Sequence, residues 1–287
     1  ITVAGGGTLG RMWHLSFPTG YVRDTTADWD YDDSLSLHRD VDGDFFAVIA
    51  DNNSPKNMDK IARWCLSNQR ICLFAPVYGK PSQFVTGEFT AGADYTALLA
   101  NNNAIGLFTE SPRSEFKEAA WAGKMLPLDP GSATWMFKTL AGAGADVWTD
   151  TERTTIETTN KGNYYAREAG VAITRPGKCF GGEWIDATIG LEWLKAQLEE
   201  ALFSLFINNP KIAYTDVGRG QVEATVRGVL KVAEDRDVLD AGWTVTAKAV
   251  ADQTAADRAA RIMRDIEFTA RLSGAVHKVF ISGTVTA

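Results

Sequence analysis

Residues 163–174 read N-Y-Y-A-R-E-A-G-V-A-I-T, residues 181–195 read G-G-E-W-I-D-A-T-I-G-L-E-W-L-K, and residues 208–218 read N-N-P-K-I-A-Y-T-D-V-G. In the first block, Lys161-Gly162 turns the chain into two β-prone runs, Asn163–Arg167 and Val171–Thr174, which predict an antiparallel hairpin. In the second, Asp186 is a good N-cap, and Leu191, Leu194, Leu198, Leu202 and Leu205 recur as one helical stripe. Asn208-Asn209-Pro210 stops that helix. Thr215 or Asp216 caps the next, whose stripe is Val222, Val226, Val229, Leu230 and Ala233. These blocks are rich in aromatics, turns and caps. They hold no cluster of nucleophile, base or metal ligand, so they describe a building block rather than a catalyst.

Outward from this stretch, composition narrows the class. A chain of 287 residues can hold two medium domains or one large one. Apolar residues make up 45%, enough for real cores, and nine Trp with fourteen Phe serve both cores and interfaces. The net charge of −7, from 29 basic and 36 acidic residues, argues against nucleic-acid binding by bulk electrostatics and against attraction to an anionic membrane. No run of about 18 apolar residues suggests a membrane-spanning helix. No signal peptide is expected from the stretch that opens at Ile1. Cys65, Cys72 and Cys179 have no metal-binding spacing, and their odd number does not make a complete disulfide framework. They are expected as small buried hydrophobes.

Residues 1–40 read as irregular and turn-rich, with a solvated acidic turn at Asp24–Asp33 that lacks the Gly and Glu of a calcium loop. Beyond them strands and helices alternate. Phe45–Ala50, Arg70–Val77 and Ala104–Thr109 are buried-strand runs. Ser54-Pro55 opens a helix with apolar positions Met58, Ile61, Ala62 and Cys65. Tyr95–Asn101 is helical, and Ser111-Pro112 opens a helix through Trp121. Such alternation implies parallel strands with crossover helices. Trp135–Lys138 reads as a short strand, and Asp150 caps a helix to Thr159. Trp243–Ala247 is a strand and Thr254 starts a short helix to Met263. Two alternating strands end the chain, Ile266–Leu272 and Lys278–Val285, joined by a turn at Ser273-Gly274.

Catalytic alternatives fail on context. Gly5-x-Gly7-x-x-Gly10 follows a short apolar run and suggests an NAD(P)-dependent oxidoreductase. Pro18 would break the helix that should receive the pyrophosphate, and no second buried strand follows. A glycine turn is the better reading. His14, His38 and His277 are the full histidine set, with no G-x-S-x-G elbow. Each reads as a surface or packing residue. No cofactor and no enzymatic activity are expected.

Four blocks, Thr134–Lys138, Asn163–Glu168, Glu183–Lys195 and Asn208–Gly218, resemble the tail-sheath proteins of contractile-tailed bacteriophages, in a branch long catalogued as of unknown function. A weaker fifth comprises Trp243–Thr246, Asp257–Arg261 and the terminal strands. The W-I-D…G-L-E-W-L-K and N-N-P-K-I…T-D-x-G pair matches in both order and spacing. The resemblance implies a C-terminal portion of a longer subunit that stacks helically around an inner tail tube and contracts to drive it into a host. Implied partners are other copies of the chain, the tube protein, and the baseplate and tail-terminator proteins. No nucleic acid and no membrane insertion are implied. The implied location is the virion, assembled in the host cytoplasm. The sheath of a tailocin or another contractile injection system shares the same physics.

The expected fold class is therefore α/β and α+β. Residues 1–40 end a preceding or inserted domain, residues 41–130 form a small parallel-sheet α/β lobe, and residues 131–287 form an α+β lobe ending in a β-hairpin. The residues alone leave open whether that hairpin pairs within its own domain or with another copy. The sheath resemblance implies exchange between subunits, through Val276, Lys278, Val279, Phe280, Ile281, Thr284 and Val285. Arg258, Arg261 and Arg264, three apart, form a basic stripe that is either a solvated face or a contact with the tube.

Overall fold

A computed structural model describes residues 31–41, 43, 45–50, 53–76, 81, 84, 95–112, 114–280 and 282. Residues Gly5–Gly10, the acidic turn up to residue 30, and the strand-exchange candidates Ile281, Thr284 and Val285 lie outside them. The layout is α/β with α+β. By backbone packing the chain divides into two compact units, one reaching Asp129 and resuming over Ala133–Ile189, the other Pro130–Ser132 with Gly190 onward. The division thus does not fall at the residue-130 boundary read from the sequence, because the later strands continue the first unit's sheet.

The first unit is built on five strands in the order of the chain: β1 (Ala47–Ile49), β2 (Ile71–Phe74), β3 (Ala104–Phe108), β4 (Asn163–Glu168) and β5 (Val171–Arg175). The first four are parallel, and β5 turns back antiparallel on β4, with Tyr165 opposite Thr174. Strands buried on both faces are continuously apolar, and β2 and β3 are buried at every position. On one face, Cys72, Phe74, Phe108 and Tyr164 pack against Met58, Ile61 and Cys65 of α2 (Pro55–Ser67). On the other, Ile71, Leu73, Ile105 and Leu107 pack against Trp121, Ala122 and Met125 of α4 (Lys117–Met125). A short helix, α3 (Tyr95–Leu99), precedes β3. Gly106 lets Phe180 lie directly on β3, since a Cβ there would come within 2.2 Å of the ring.

Several local expectations shift. Residues 31–40 are not irregular: α1 runs Tyr31–Val41, anchored by Leu35 in the core and by the Trp64 indole donating to Ser36 Oγ at 2.9 Å. Its polar composition hid it. The helix expected from Ser111 begins at Lys117 instead, because Ser111–Ser114 closes a turn and Phe116 is left-handed, φ 44°. Trp135–Lys138 is not a strand, although Phe137 N–H donates to Thr174 O and Thr174 N–H to Lys138 O. Thr149, not Asp150, caps α5 (Asp150–Thr154), through a reciprocal box with Glu152. The helix then widens to a π-turn over Thr155–Thr159.

The long helix α6 (Ile185–Asn208) starts one residue before Asp186, which lies in its first turn rather than at its cap. Ile185 N–H is already satisfied by Gly177 O, so no side-chain cap is needed there. Of the leucine stripe, Leu194 is buried, Leu198, Leu202 and Leu205 are half-buried, and Leu191 is exposed. In the second unit, α7 (Asp216–Asp235) buries Val226, Leu230 and Ala233 as expected. Strand β6 (Thr244–Ala247) follows, then the short α8 (Ala255–Ala260) and β7 (Ile266–Thr269).

Of the expected terminal hairpin, the first strand is described throughout, while half of Lys278–Val285 lies outside the described residues. β7 is present, but it pairs antiparallel with β6, Val245 opposite Phe268. Beyond it, Leu272 bridges Leu239, and Ser273 N–H donates to Val238 O. Neither a turn at Ser273-Gly274 nor a strand over 273–280 forms among the described residues. On β6, Val245 is buried and gives β7 a seated neighbour, while Val276, Val279 and Phe280 are exposed.

Candidate assembly surface

The N-N-P-K-I-A-Y-T-D-V-G motif is a tight helix start. Thr215 Oγ1 accepts from Gly218 N–H at 3.3 Å, and a Cβ on Gly218 would sit 1.9 Å from Ala213 O. Asp216 Oδ1 accepts from Val250 N–H at 3.1 Å, tying this cap to the segment after β6. From the same helix, Arg219 Nη1 donates to Ala247 O at 2.7 Å and Arg227 Nη2 donates to Val245 O at 2.7 Å. Residues four apart on a helix share a face, so Arg219, Glu223 and Arg227 form one row along β6.

Lys248 N–H donates to Asp265 O at 3.1 Å, one step beyond the Ala247–Ile266 pair. In an antiparallel ladder the bonded and non-bonded pairs alternate. Thr244 and Thr246 therefore point their backbone groups at Thr269 and Glu267. Val245 and Ala247 point away from β7, and Ile266 and Phe268 point away from β6. Phe268 is 42% exposed.

The described tail candidates are on the surface: Val276 is 78% exposed, Val279 69% and Phe280 84%. Lys278 Nζ lies 4.7 Å from the centre of the Phe280 ring. The arginine candidates do not form one helical row, because Arg261 is left-handed, φ 58°, and ends α8. Arg258 stays exposed while donating to Val250 O at 3.0 Å and lying over Tyr214. Arg264 Nε pairs with Asp257 Oδ1 at 2.8 Å, which holds the Asp257 carboxyl below its usual range. Arg261 is exposed and extends from the turn.

A second charged group lies in the first unit. Lys117 Nζ is buried against Asp146 Oδ1 at 2.6 Å and reaches Glu115 Oε2 at 3.2 Å. Burial raises the Asp146 carboxyl, against the pull of Lys117. Next to it, Glu118 is fully buried, no other described residue hydrogen-bonds its carboxyl oxygens, and burial pushes it up to about 7. The three cysteines are free and buried, and burial pushes Cys179 up to about 12. Among the described residues, no three His, Cys, Asp or Glu are placed to hold a metal ion, and no helix is long and apolar enough to cross a membrane.

Sequence reading missed the row Arg219-Glu223-Arg227 and the role of Asn163. The i, i+4, i+8 spacing on α7 was the available signal for the first. For the second, it was a β-disfavoured Asn heading an aromatic strand.

No protein-family model and no curated protein matches the chain. Among solved structures, one chain of the six-fold symmetrised baseplate of the anti-feeding prophage (AFP) shares the fold, with a TM-score of 0.63 and 10% identity over 89% of this chain and 73% of that one. A chain of the sheath complex of an extracellular contractile injection system, PVC, in its contracted state also matches, with a TM-score of 0.56 and 10% identity over 75% of this chain. The match spans 63% of that PVC chain, under two thirds of its length. The chain thus shares its fold with a chain of each of these two assemblies.

Proposed function

We propose that the chain is the structural subunit of a contractile phage tail sheath, polymerising helically around an inner tube and shortening to drive that tube into a host. The shared fold with a chain of a prophage baseplate and a chain of a contractile sheath complex, over 89% and 75% of the chain, carries this reading. Its partners are other copies of itself, the tube protein, and baseplate and terminator proteins; its place is the virion, after assembly in the host cytoplasm. Connection between copies runs through the exposed tail that includes Val276, Lys278, Val279 and Phe280, by β-strand addition. A heterologous contact repeated by a screw operation gives a filament rather than a closed ring. Shortening is then a switch between two packings of rigid cores.

Negative-stain microscopy of the purified protein tests this directly. Ringed or striated tubes are expected, and deleting Ala275–Ala287 should leave a folded monomer that forms none. Tubes persisting after the deletion would remove the tail from the mechanism. A monomer in both preparations would remove polymerisation.

A second reading is the sheath of a tailocin or another contractile injection system. It is favoured by the second of the two solved structures, the sheath complex of an extracellular contractile injection system. For either particle, Arg258, Arg261 and Arg264 are proposed to face the tube, with Arg261 the most available of the three. Reversing all three to Glu should weaken co-sedimentation with purified tubes; unchanged co-sedimentation would discard the contact.

A further inference from the structure

Lys117 opens α4 and is the one buried lysine among the described residues. Its Nζ lies 2.6 Å from Asp146 Oδ1, and the two side chains are only 2% and 4% exposed. Nζ is therefore no further from Asp146 Cγ than one carbon–oxygen bond beyond that distance. Three donors converge on Oδ1: Nζ, Thr109 Oγ1 at 3.3 Å and Glu110 N–H at 3.3 Å. The other oxygen, Oδ2, is buried and receives no hydrogen bond from the described residues. Glu115 Oε2 lies 3.2 Å from Nζ and is held by Gly144 N–H at 3.1 Å. A buried ion pair carries a desolvation cost on each charge. A carboxyl with donors gathered on one oxygen and the other left bare, in contact with an amine, is also the arrangement from which an amide forms.

We propose that Lys117 and Asp146 join in an intramolecular isopeptide bond, with Glu115 as the proton carrier. Glu115 takes a proton from Nζ and passes it to Oδ2, which leaves a neutral amine beside a neutral acid. Burial, which raises the Asp146 carboxyl, favours that neutral acid. Nζ attacks Cγ, and the charge that develops on Oδ1 is met by the Thr109 hydroxyl and Glu110 N–H. Glu115 takes a second proton from Nζ and delivers it to Oδ2, the Cγ–Oδ2 bond breaks, and one water leaves. The third Nζ proton stays on the amide nitrogen, and nothing is oxidised or reduced. The amide removes both buried charges and keeps Oδ1 as the acceptor of the same two donors. Asp146 N–H donates to Tyr165 O on β4 at 2.9 Å, so the bond ties the start of α4 to the sheet. It also closes the chain between Lys117 and Asp146 into a covalent ring that a pulling force cannot open. The inference goes beyond the sheath reading and does not depend on it.

Intact-mass spectrometry of the purified full chain is the test. The wild type is expected one water lighter than its sequence. Trypsin should then spare Lys117 and release a branched peptide that joins Ser114–Lys124 to Thr139–Arg153. Asp146→Ala and Lys117→Met should both keep the full mass. The Glu115 side chain is 35% exposed, so Glu115→Gln should fold like the wild type, as read by circular dichroism. That variant should form the bond about 100-fold more slowly, since a positioned acid–base group contributes at least that factor. A folded wild type that keeps its full mass after prolonged incubation overturns the proposal and leaves Lys117 and Asp146 a plain ion pair. A missing water that maps to any other residues overturns it as well, and an unchanged rate in Glu115→Gln strikes Glu115 as the carrier.

Discussion

Replacing Asn163 by alanine is expected to destabilise the first unit by about 3–5 kcal/mol, because it strands several buried backbone groups at once. Asn163 is fully buried at the start of β4. Its Nδ2 donates to Gly106 O at 2.9 Å and to Lys178 O at 2.7 Å. Its Oδ1 accepts from Gly177 N–H and Lys178 N–H, both at 2.8 Å. One amide thus satisfies two carbonyls and two N–H groups, and it clamps the β3–β4 junction to the loop after β5. Alanine supplies none of these four bonds and admits no direct substitute. Asn163→Asp should fare no better, since it keeps the acceptor but sets a carboxylate against two carbonyls. Urea unfolding monitored by tryptophan fluorescence would measure the loss, with the exposed Asn208→Ala as a control expected to move less than about 0.5 kcal/mol. A change at Asn163 no larger than at Asn208 would remove it as a structural hub.

Glu118→Gln is expected to stabilise the protein at pH 8, by up to about 3 kcal/mol, and to do little at pH 4. Burial raises this carboxyl from 4.5 to about 7. The folded state therefore binds the proton more tightly than the unfolded chain does. Stability linked to the protonated form is fully present below pH 4.5 and is lost as pH rises to about 7. Above that, folding carries the cost of a desolvated carboxylate to which no other described residue donates a hydrogen bond. Glutamine has the same shape and no charge, so its advantage should grow through that window. Thermal melts of both proteins across pH 4–8 are the measurement. A difference that is flat with pH would show that Glu118 titrates normally in the folded chain.

Much of the molecule could be read from short-range patterns. β1, β2 and β3 are continuous apolar runs, and α2 begins at a Ser-Pro start. The stripe of α7 and the Thr215 cap were visible for the same reason: periodicity and capping depend on neighbours three or four residues away. The β4–β5 hairpin also needed nothing distant. α1 was missed because one residue, Leu35, supplies its anchor within a polar segment, and amphipathic patterning registers little from that.

Strand partnership was the harder matter. The alternation in Ile266–Leu272 correctly marked β7, yet it carries no information about which strand lies beside it. Nearness in sequence pointed to Lys278–Val285, half of which lies outside the described residues, while the buried Val245 makes β6 a partner of β7 that nearness did not suggest. The candidate surface divides the same way. Val276, Lys278, Val279 and Phe280 could be singled out as an apolar, strand-prone tail from composition. That β6 is covered by Arg219 and Arg227 while β7 is left open is a consequence of a helix laid along one edge. Periods of two and nearly four are written into neighbouring residues; the choice of partner edge is set by contacts between segments tens of residues apart, whose closure no local pattern encodes.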